Sequence, residues 1–196
     1  ENNRVRAATF RDFCILLRYD SGRIPLFVEE LARRGIPAQA EFSGGLFSAP
    51  EICFMLSLLR VIDNPAQDVP LLSVMLSPVF GFSPDELARL RIDDRSKSIY
   101  ACLRSAEKSD EKIKSFLETL KRYRRLSAML PPGELIRRLL DETGFLAVAG
   151  AMSGGQGRRS NLLLLLDIAV RFEESGHTGL PGFIRFIDSI AESGED

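Results

Sequence analysis

The segment Ile52 to Ile62, ICFMLSLLRVI, constrains this chain more than any other. Ile52, Met55, Leu56, Leu59 and Ile62 recur at helical spacing, and Phe54, Leu58 and Val61 fill the other side. A helix that is apolar nearly all round has no face to give to water, so other elements must enclose it. The later sequence supplies those elements, mostly as helices. Ile113, Phe116, Leu117, Leu120 and Tyr123 mark a long amphipathic helix beginning at Ser109, and Leu135, Ile136, Leu139 and Leu140 mark the next, which Gly144 ends. An apolar helix is expected from Ser160 to Glu174, and a last one from Pro181 to Ala191, capped by Thr178 or Gly179.

Two capping boxes place helix starts. Ser48 and Glu51 form one, with Pro50 tolerated in the first turn; Ser83 and Glu86 form the other, with Pro84, after the Phe80-Gly81-Phe82 turn. The first residues read differently. Phe13 to Leu17 is a short apolar run, Ile24 to Arg34 is amphipathic and stops at Gly35 with Pro37 beyond, and Ala38 to Phe42 reads as a second short strand. Strand, helix and strand in that order suggest a corner of a parallel sheet, because parallel strands need a crossover helix. The expected fold class is therefore mainly α, with a strand-helix-strand unit over residues 1–47 and a helical unit over 48–196.

Composition bounds the function. With 196 residues, 45% hydrophobic and 27% charged, the chain can bury a substantial core. No apolar run approaches the roughly 20 residues that span a bilayer, and no membrane partner is expected. The N-terminus has no apolar signal core, which points to a cytoplasmic location. Cys14, Cys53 and Cys102 are far apart without CxxC spacing and read as buried, reduced thiols. The only histidine, His177, lies in a Gly-Thr loop and reads as a surface residue, so histidine triads and multi-histidine metal sites are disfavoured. Asp110 with Glu111 and Glu173 with Glu174 read as solvated or capping charges, because adjacent helical residues point in different directions.

A formal charge of -1 means that any polyanion binding must come from local patches. Lys121, Arg122, Arg124 and Arg125 crowd one helix end, Arg137 and Arg138 lie on the next helix, and Arg158 and Arg159 lie in the Gly-rich stretch Ser153 to Arg159, read as a flexible loop. The turn at Gly81 stands immediately before a helix N-terminus, where free backbone N–H groups attract phosphate oxygens. Each of these features has an ordinary structural reading beside the functional one: a solvated cationic face, a linker, a helix-helix turn.

Six short segments, in order, resemble the AddA (RexA) subunit of bacterial helicase-nucleases within helicase superfamily 1. They are Phe13-Cys14-Ile15-Leu16-Leu17-Arg18, Leu31 to Pro37, Ser43-Gly44-Gly45-Leu46-Phe47 through Glu51-Ile52, Arg60-Val61-Ile62-Asp63-Asn64-Pro65, Ser77-Pro78-Val79-Phe80-Gly81-Phe82 and Arg158-Arg159-Ser160-Asn161-Leu162. The GxxxxGK(S/T) phosphate loop and the acidic DExx strand of that family are absent. Asp94 to Tyr100 echoes the GDxxQSIY element, but out of order and with Lys97 in place of the glutamine, and reads as coincidence.

The resemblance implies a helical 2B-like accessory domain over 48–196 and a remnant of a RecA-like 2A domain over 1–47, with hinges near Ser43 to Gly45 and after Ser193. It implies a segment that is not catalytic by itself. The parent would be a bacterial enzyme that uses ATP and Mg2+, pairs with an AddB-like partner, and processes double-strand DNA ends for recombinational repair. In that setting the segment would guide double-stranded and forked DNA and position the motor domains of the same chain. The residues expected to meet DNA are Arg18, Gly44, Gly45, Phe80, Gly81, Phe82, Arg158, Arg159 and Asn161. The alternative is an interaction module that docks on the partner subunit or the motor, marked by an exposed apolar patch at Leu46, Phe80 and Phe82.

Overall fold

The computed structural model describes residues 6–16, 24–38, 45–92 and 97–193. The chain divides into two compact units, one ending at Gly45 and the other beginning at Leu46. In the first, a 3₁₀ turn (Phe10–Asp12) is followed by helix α1 (Ile24–Arg33), which stops where Gly35 takes φ +70. The first expected strand does not form in its described part. Residues 13–16 are irregular, and Phe13, Ile15 and Leu16 are exposed. A parallel strand is held by ladder hydrogen bonds to neighbours, and no strand occurs among the described residues. Leu17, and residues 39–42 of the second expected strand, lie outside the described residues.

The second unit is helical, as its periodicity predicts. A 3₁₀ turn (Leu46–Ser48) leads into α2 (Pro50–Asp63), followed by α3 (Asp68–Met75), α4 (Pro84–Leu90), α5 (Ile99–Ala106), α6 (Glu111–Ser127), α7 (Pro132–Thr143), α8 (Phe145–Ala151), α9 (Gly155–Glu174) and α10 (Leu180–Ser193). Helix α2 is the hub, packed against α3, α6, α9 and α10. Ile52, Met55, Leu58, Leu59, Val61 and Ile62 are at most 1% exposed, so the enclosure predicted for this segment is met. Each such side chain removed from water contributes about 1.5–3 kcal/mol before entropy is subtracted. Helix α2 ends where Asn64 turns extended, and its side chain accepts from the Ala66 N–H at 3.0 Å. Arg124 of α6 donates Nε to the Ile62 carbonyl at 3.1 Å, occupying one of the acceptors a helix C-terminus leaves open.

Helix starts separate local from tertiary causes. At α4, Ser83 N–H donates to Glu86 Oε2 at 2.6 Å and Glu86 N–H to Ser83 Oγ at 3.2 Å, the reciprocal box read from the sequence. At α2 the expected box is not formed. The N-cap is Ala49, without a side-chain cap, and Glu51 is buried. Helix α6 is capped by Asp110, one residue past the expected Ser109, through bonds from the Lys112 and Ile113 amides at 2.8 and 3.2 Å. Helix α7 has no local cap; Glu173 of α9 accepts from the Gly133 N–H at 2.5 Å instead. Helix α9 begins at Gly155, five residues before the expected Ser160, so the stretch read as a flexible loop is largely helical. Cys102 is buried, but Cys14 and Cys53 are exposed, against expectation.

The α4 box carries a pH signature. The Ser83 backbone amide, and next the Lys112 ammonium at 2.9 and 3.0 Å, hold the Glu86 carboxyl at about 2, well below its ordinary 4.5. A carboxyl depressed on folding contributes stability that is present above the unfolded value and lost as pH falls through the folded one. Stability of the helical unit is therefore expected to decline between about pH 4.5 and 2 in part through Glu86. Urea titrations across that window should show a shallower decline for Glu86→Gln; identical curves for variant and parent would remove Glu86 from the acid response.

Candidate nucleic-acid interface

The turn from Ser77 to Phe82 folds onto itself. Phe80 N–H and Gly81 N–H both donate to the Ser77 carbonyl, at 3.2 and 2.8 Å, and Phe82 N–H donates to the Met75 carbonyl at 3.0 Å. Gly81 takes φ +62, the left-handed conformation that closes this loop and that other residues adopt with strain. The amides expected to face phosphate are thus already bonded within the protein. Lys112 Nζ donates to the Gly81 carbonyl at 2.8 Å, and Glu86 adds a carboxylate beside it. Phe82 is 6% exposed and Phe80 half-buried, both edge-on to Phe116 at 5.7 and 5.0 Å between ring centres. With Leu46 also half-buried, the three do not make the exposed apolar patch expected of the alternative.

The second group stands on the first turns of α9. Arg158 donates Nη1 to Glu51 Oε2 at 2.6 Å and Nε to the Ser153 carbonyl at 3.0 Å; Asn161 donates Nδ2 to Glu51 Oε1 at 2.7 Å. The Glu51 side chain is only 3% exposed. A buried carboxylate needs a counter-charge and hydrogen-bond donors, and these two side chains supply both. Arg158 and Asn161 therefore clasp the start of α9 to the start of α2. Arg159 is different: it is exposed and makes no ion pair among the described residues.

Of the glycines before these residues, Gly154 and Gly157 face open space. Gly155 packs directly on the Gly150 carbonyl, so that side of the turn is closed by backbone. Gly45 is half-buried just before the Leu46–Ser48 turn, while Arg18 and Gly44 lie outside the described residues. His177 is exposed, as expected, and stacks on Phe172 at 5.1 Å. Asp110 and Glu173 both serve as capping charges, the first at α6 and the second at α7.

The cationic end of α6 is the feature whose placement the sequence left open. Lys121 and Arg125 are exposed without an ion pair among the described residues. Arg122 bonds Glu142 at 2.7 Å, and Glu142 also takes Arg138 at 3.1 Å, so two cations share one carboxylate there. Arg124 turns toward α2. Lys121, Arg122 and Arg125 thus share one face of α6, within about one turn.

No family model matches the chain. Among curated proteins it is similar to the A subunit of the ATP-dependent helicase/nuclease of Acetivibrio thermocellus, 40% identical over 199 residues and 99% of this chain. The protein of the same name from Geobacillus kaustophilus is 41% identical over 205 residues and 100% of the chain. That from Clostridioides difficile is 37% identical over 211 residues and 97% of it. The chain spans 16% of the length of each of these relatives.

Proposed function

Because the chain belongs to the family of ATP-dependent helicase/nuclease A subunits, as the counterpart of one segment of them, we propose that it is a non-catalytic accessory segment that guides DNA at a double-strand end. On this reading residues 48–196 are the 2B-like accessory domain and residues 1–47 a remnant of the RecA-like 2A domain. ATP and Mg2+ act in motor segments of the parent, which works with an AddB-like partner in the bacterial cytoplasm on double-stranded and forked DNA. The observation that carries the reading is the set of exposed cations, Arg159, Lys121 and Arg125, that no described carboxylate neutralises on a chain of net charge -1. Such side chains read phosphates without reading base sequence.

The test is fluorescence anisotropy of the chain with a labelled forked duplex, titrated across salt. Binding should saturate and weaken log-linearly with salt. Arg159→Glu should weaken it and make the salt slope shallower by about 0.9, the value of one duplex phosphate. Arg158 is unsuitable for this purpose, since its loss disturbs Glu51. No binding at low salt by a folded chain would reject DNA guidance. One observation favours the interaction-module alternative: Leu163 and Leu164 of α9 are 51% and 46% exposed. In that event Leu163→Asp would abolish capture of the partner subunit without changing the fold.

A further inference from the structure

Beside the turn at Gly81 lies a groove of about 230 Å³, lined by Val79, Phe80, Phe82, Lys112, Phe116 and the hydroxyl residues Ser115 and Thr119. Ser115 and Thr119 also line the adjoining shelf, with Glu118, Lys121, Arg122 and Arg125. Groove and shelf are one surface, because positions 112, 115, 119 and 122 recur at three- and four-residue intervals on α6. It runs from an aromatic end to a cationic end along a helix of 17 residues, about 25 Å. The aromatic end has the edge of a built pocket: Phe116 is 4% exposed, Phe80 and Phe82 stand edge-on to it, and Lys112 lies 4.4 Å over the Phe82 ring.

The geometry points to a binding strip for single-stranded nucleic acid along α6, with an unpaired base in the groove against Phe80 and the adjoining phosphates on Lys121 and Arg125. This rests on the DNA-guiding reading above and goes beyond it in naming the strand and its track. The groove is smaller than the roughly 300–1,000 Å³ that drug-sized ligands occupy, and is of a size for one planar ring. A base within a duplex is covered on both faces by its neighbours, so only an unpaired one can enter. Stacking on an aromatic side chain tolerates any base, and a cationic track beside it holds the backbone; together they are how sequence-neutral single-strand sites are made. Ser115 and Thr119, midway, offer hydroxyl donors to phosphate or sugar oxygens. Among the six shelf residues Glu118 alone is acidic, and with Arg122 paired to Glu142 the exposed Lys121 and Arg125 are left for the backbone.

The chain contains no tryptophan, so an introduced one reports alone. Phe80→Trp is titrated with a short oligothymidylate, with an abasic strand of the same length, and with a blunt duplex. Its emission should be quenched by the oligothymidylate and left nearly unchanged by the other two. Lys121→Glu/Arg125→Glu, at exposed positions, should weaken oligothymidylate binding at least about tenfold and make the salt slope shallower by about 0.7 for each phosphate no longer neutralised. Should circular dichroism show Phe80→Trp misfolded, Ser115→Trp at the exposed middle of the strip takes its place. Equal quenching by the abasic strand overturns base entry into the groove. Undiminished oligothymidylate binding by the double charge variant overturns the strip as a whole. If the forked duplex still binds the parent in either case, DNA guidance stands and only this inference falls; if no nucleic acid binds, both fall.

Discussion

Arg158→Ala is expected to lower the unfolding free energy of the helical unit by up to about 3–5 kcal/mol, the range for leaving a buried carboxylate without its counter-charge. The reason lies in Glu51. Its carboxylate sits at 3% side-chain exposure with Arg158 at 2.6 Å and Asn161 at 2.7 Å. Without the guanidinium, one amide donor remains for a charge that water scarcely reaches. Asn161→Ala removes a neutral donor and keeps the counter-charge, so a smaller loss of about 1.5–3 kcal/mol is expected. Glu51→Leu/Arg158→Leu removes both charges together and should be far less harmful than Arg158→Ala alone, since a buried pair replaced by apolar groups is often neutral. Arg159→Ala, next door but exposed, should stay within about 0.5 kcal/mol. Urea denaturation followed by circular dichroism measures all four, and the m-value should not change if only stability does. A loss under about 1 kcal/mol for Arg158→Ala would mean that Glu51 finds another partner or water, and the clasp would be discarded. The same numbers decide how DNA-binding variants are read, because a weakened complex with Arg158→Glu would report a damaged fold.

The contrast between Glu51 and Glu86 shows where sequence reasoning reaches and where it stops. Both follow a serine by three residues with a proline between, the pattern of a capping box. At Glu86 the partners are local, so the pattern forms as read. At Glu51 the partners stand 107 and 110 residues away, and no local pattern contains them. Tertiary demand won because a carboxylate facing the start of α9 has more to gain from a cation than from one amide. The hub helix was legible because its apolar residues surround it, which only enclosure can satisfy. Helices α3, α5 and α8 were not, being seven or eight residues long, too short to establish a period. They are held by distant contacts, as where Asp68 at the start of α3 accepts from the Ile99 N–H at 2.9 Å. Of the expected DNA-facing residues, type and spacing located the turn at Gly81 and the arginines at the start of α9. Only the packed structure shows that the Gly81 amide and Arg158 are already engaged, while Arg159, Lys121 and Arg125 form no ion pair among the described residues.

Gly155→Ala is the second large effect, and it follows from backbone rather than charge. Gly155 opens α9 where that helix departs from α8, and a Cβ there would stand 2.0 Å from the Gly150 carbonyl oxygen and 2.6 Å from its carbon. Neither atom belongs to a side chain that can swing aside, so α8 and α9 must separate. Ordinary overpacking costs about 1–3 kcal/mol, and a clash against backbone belongs at or above the top of that range. Two neighbours calibrate the result. Gly154 takes φ +71 with open space around it, so Gly154→Ala meets conformational strain alone, about 1–2 kcal/mol. Gly157 is helical and also open, so Gly157→Ala should stabilise by about 0.5–1 kcal/mol through its better helix propensity. Three alanine substitutions within four residues are thus expected to span both signs, in an order that a flexible glycine loop could not produce. Thermal denaturation of the three variants reads that order directly. If all three lie within about 0.5 kcal/mol of the parent, residues 154–157 are the mobile linker that their composition suggests, and the close packing of α8 on α9 is refuted. If Gly155→Ala is lowest and Gly157→Ala highest, the spacing of that helical hairpin is set by bare backbone contact. Arg159 then packs over Gly150, its Cδ 2.8 Å from where a Cβ there would stand.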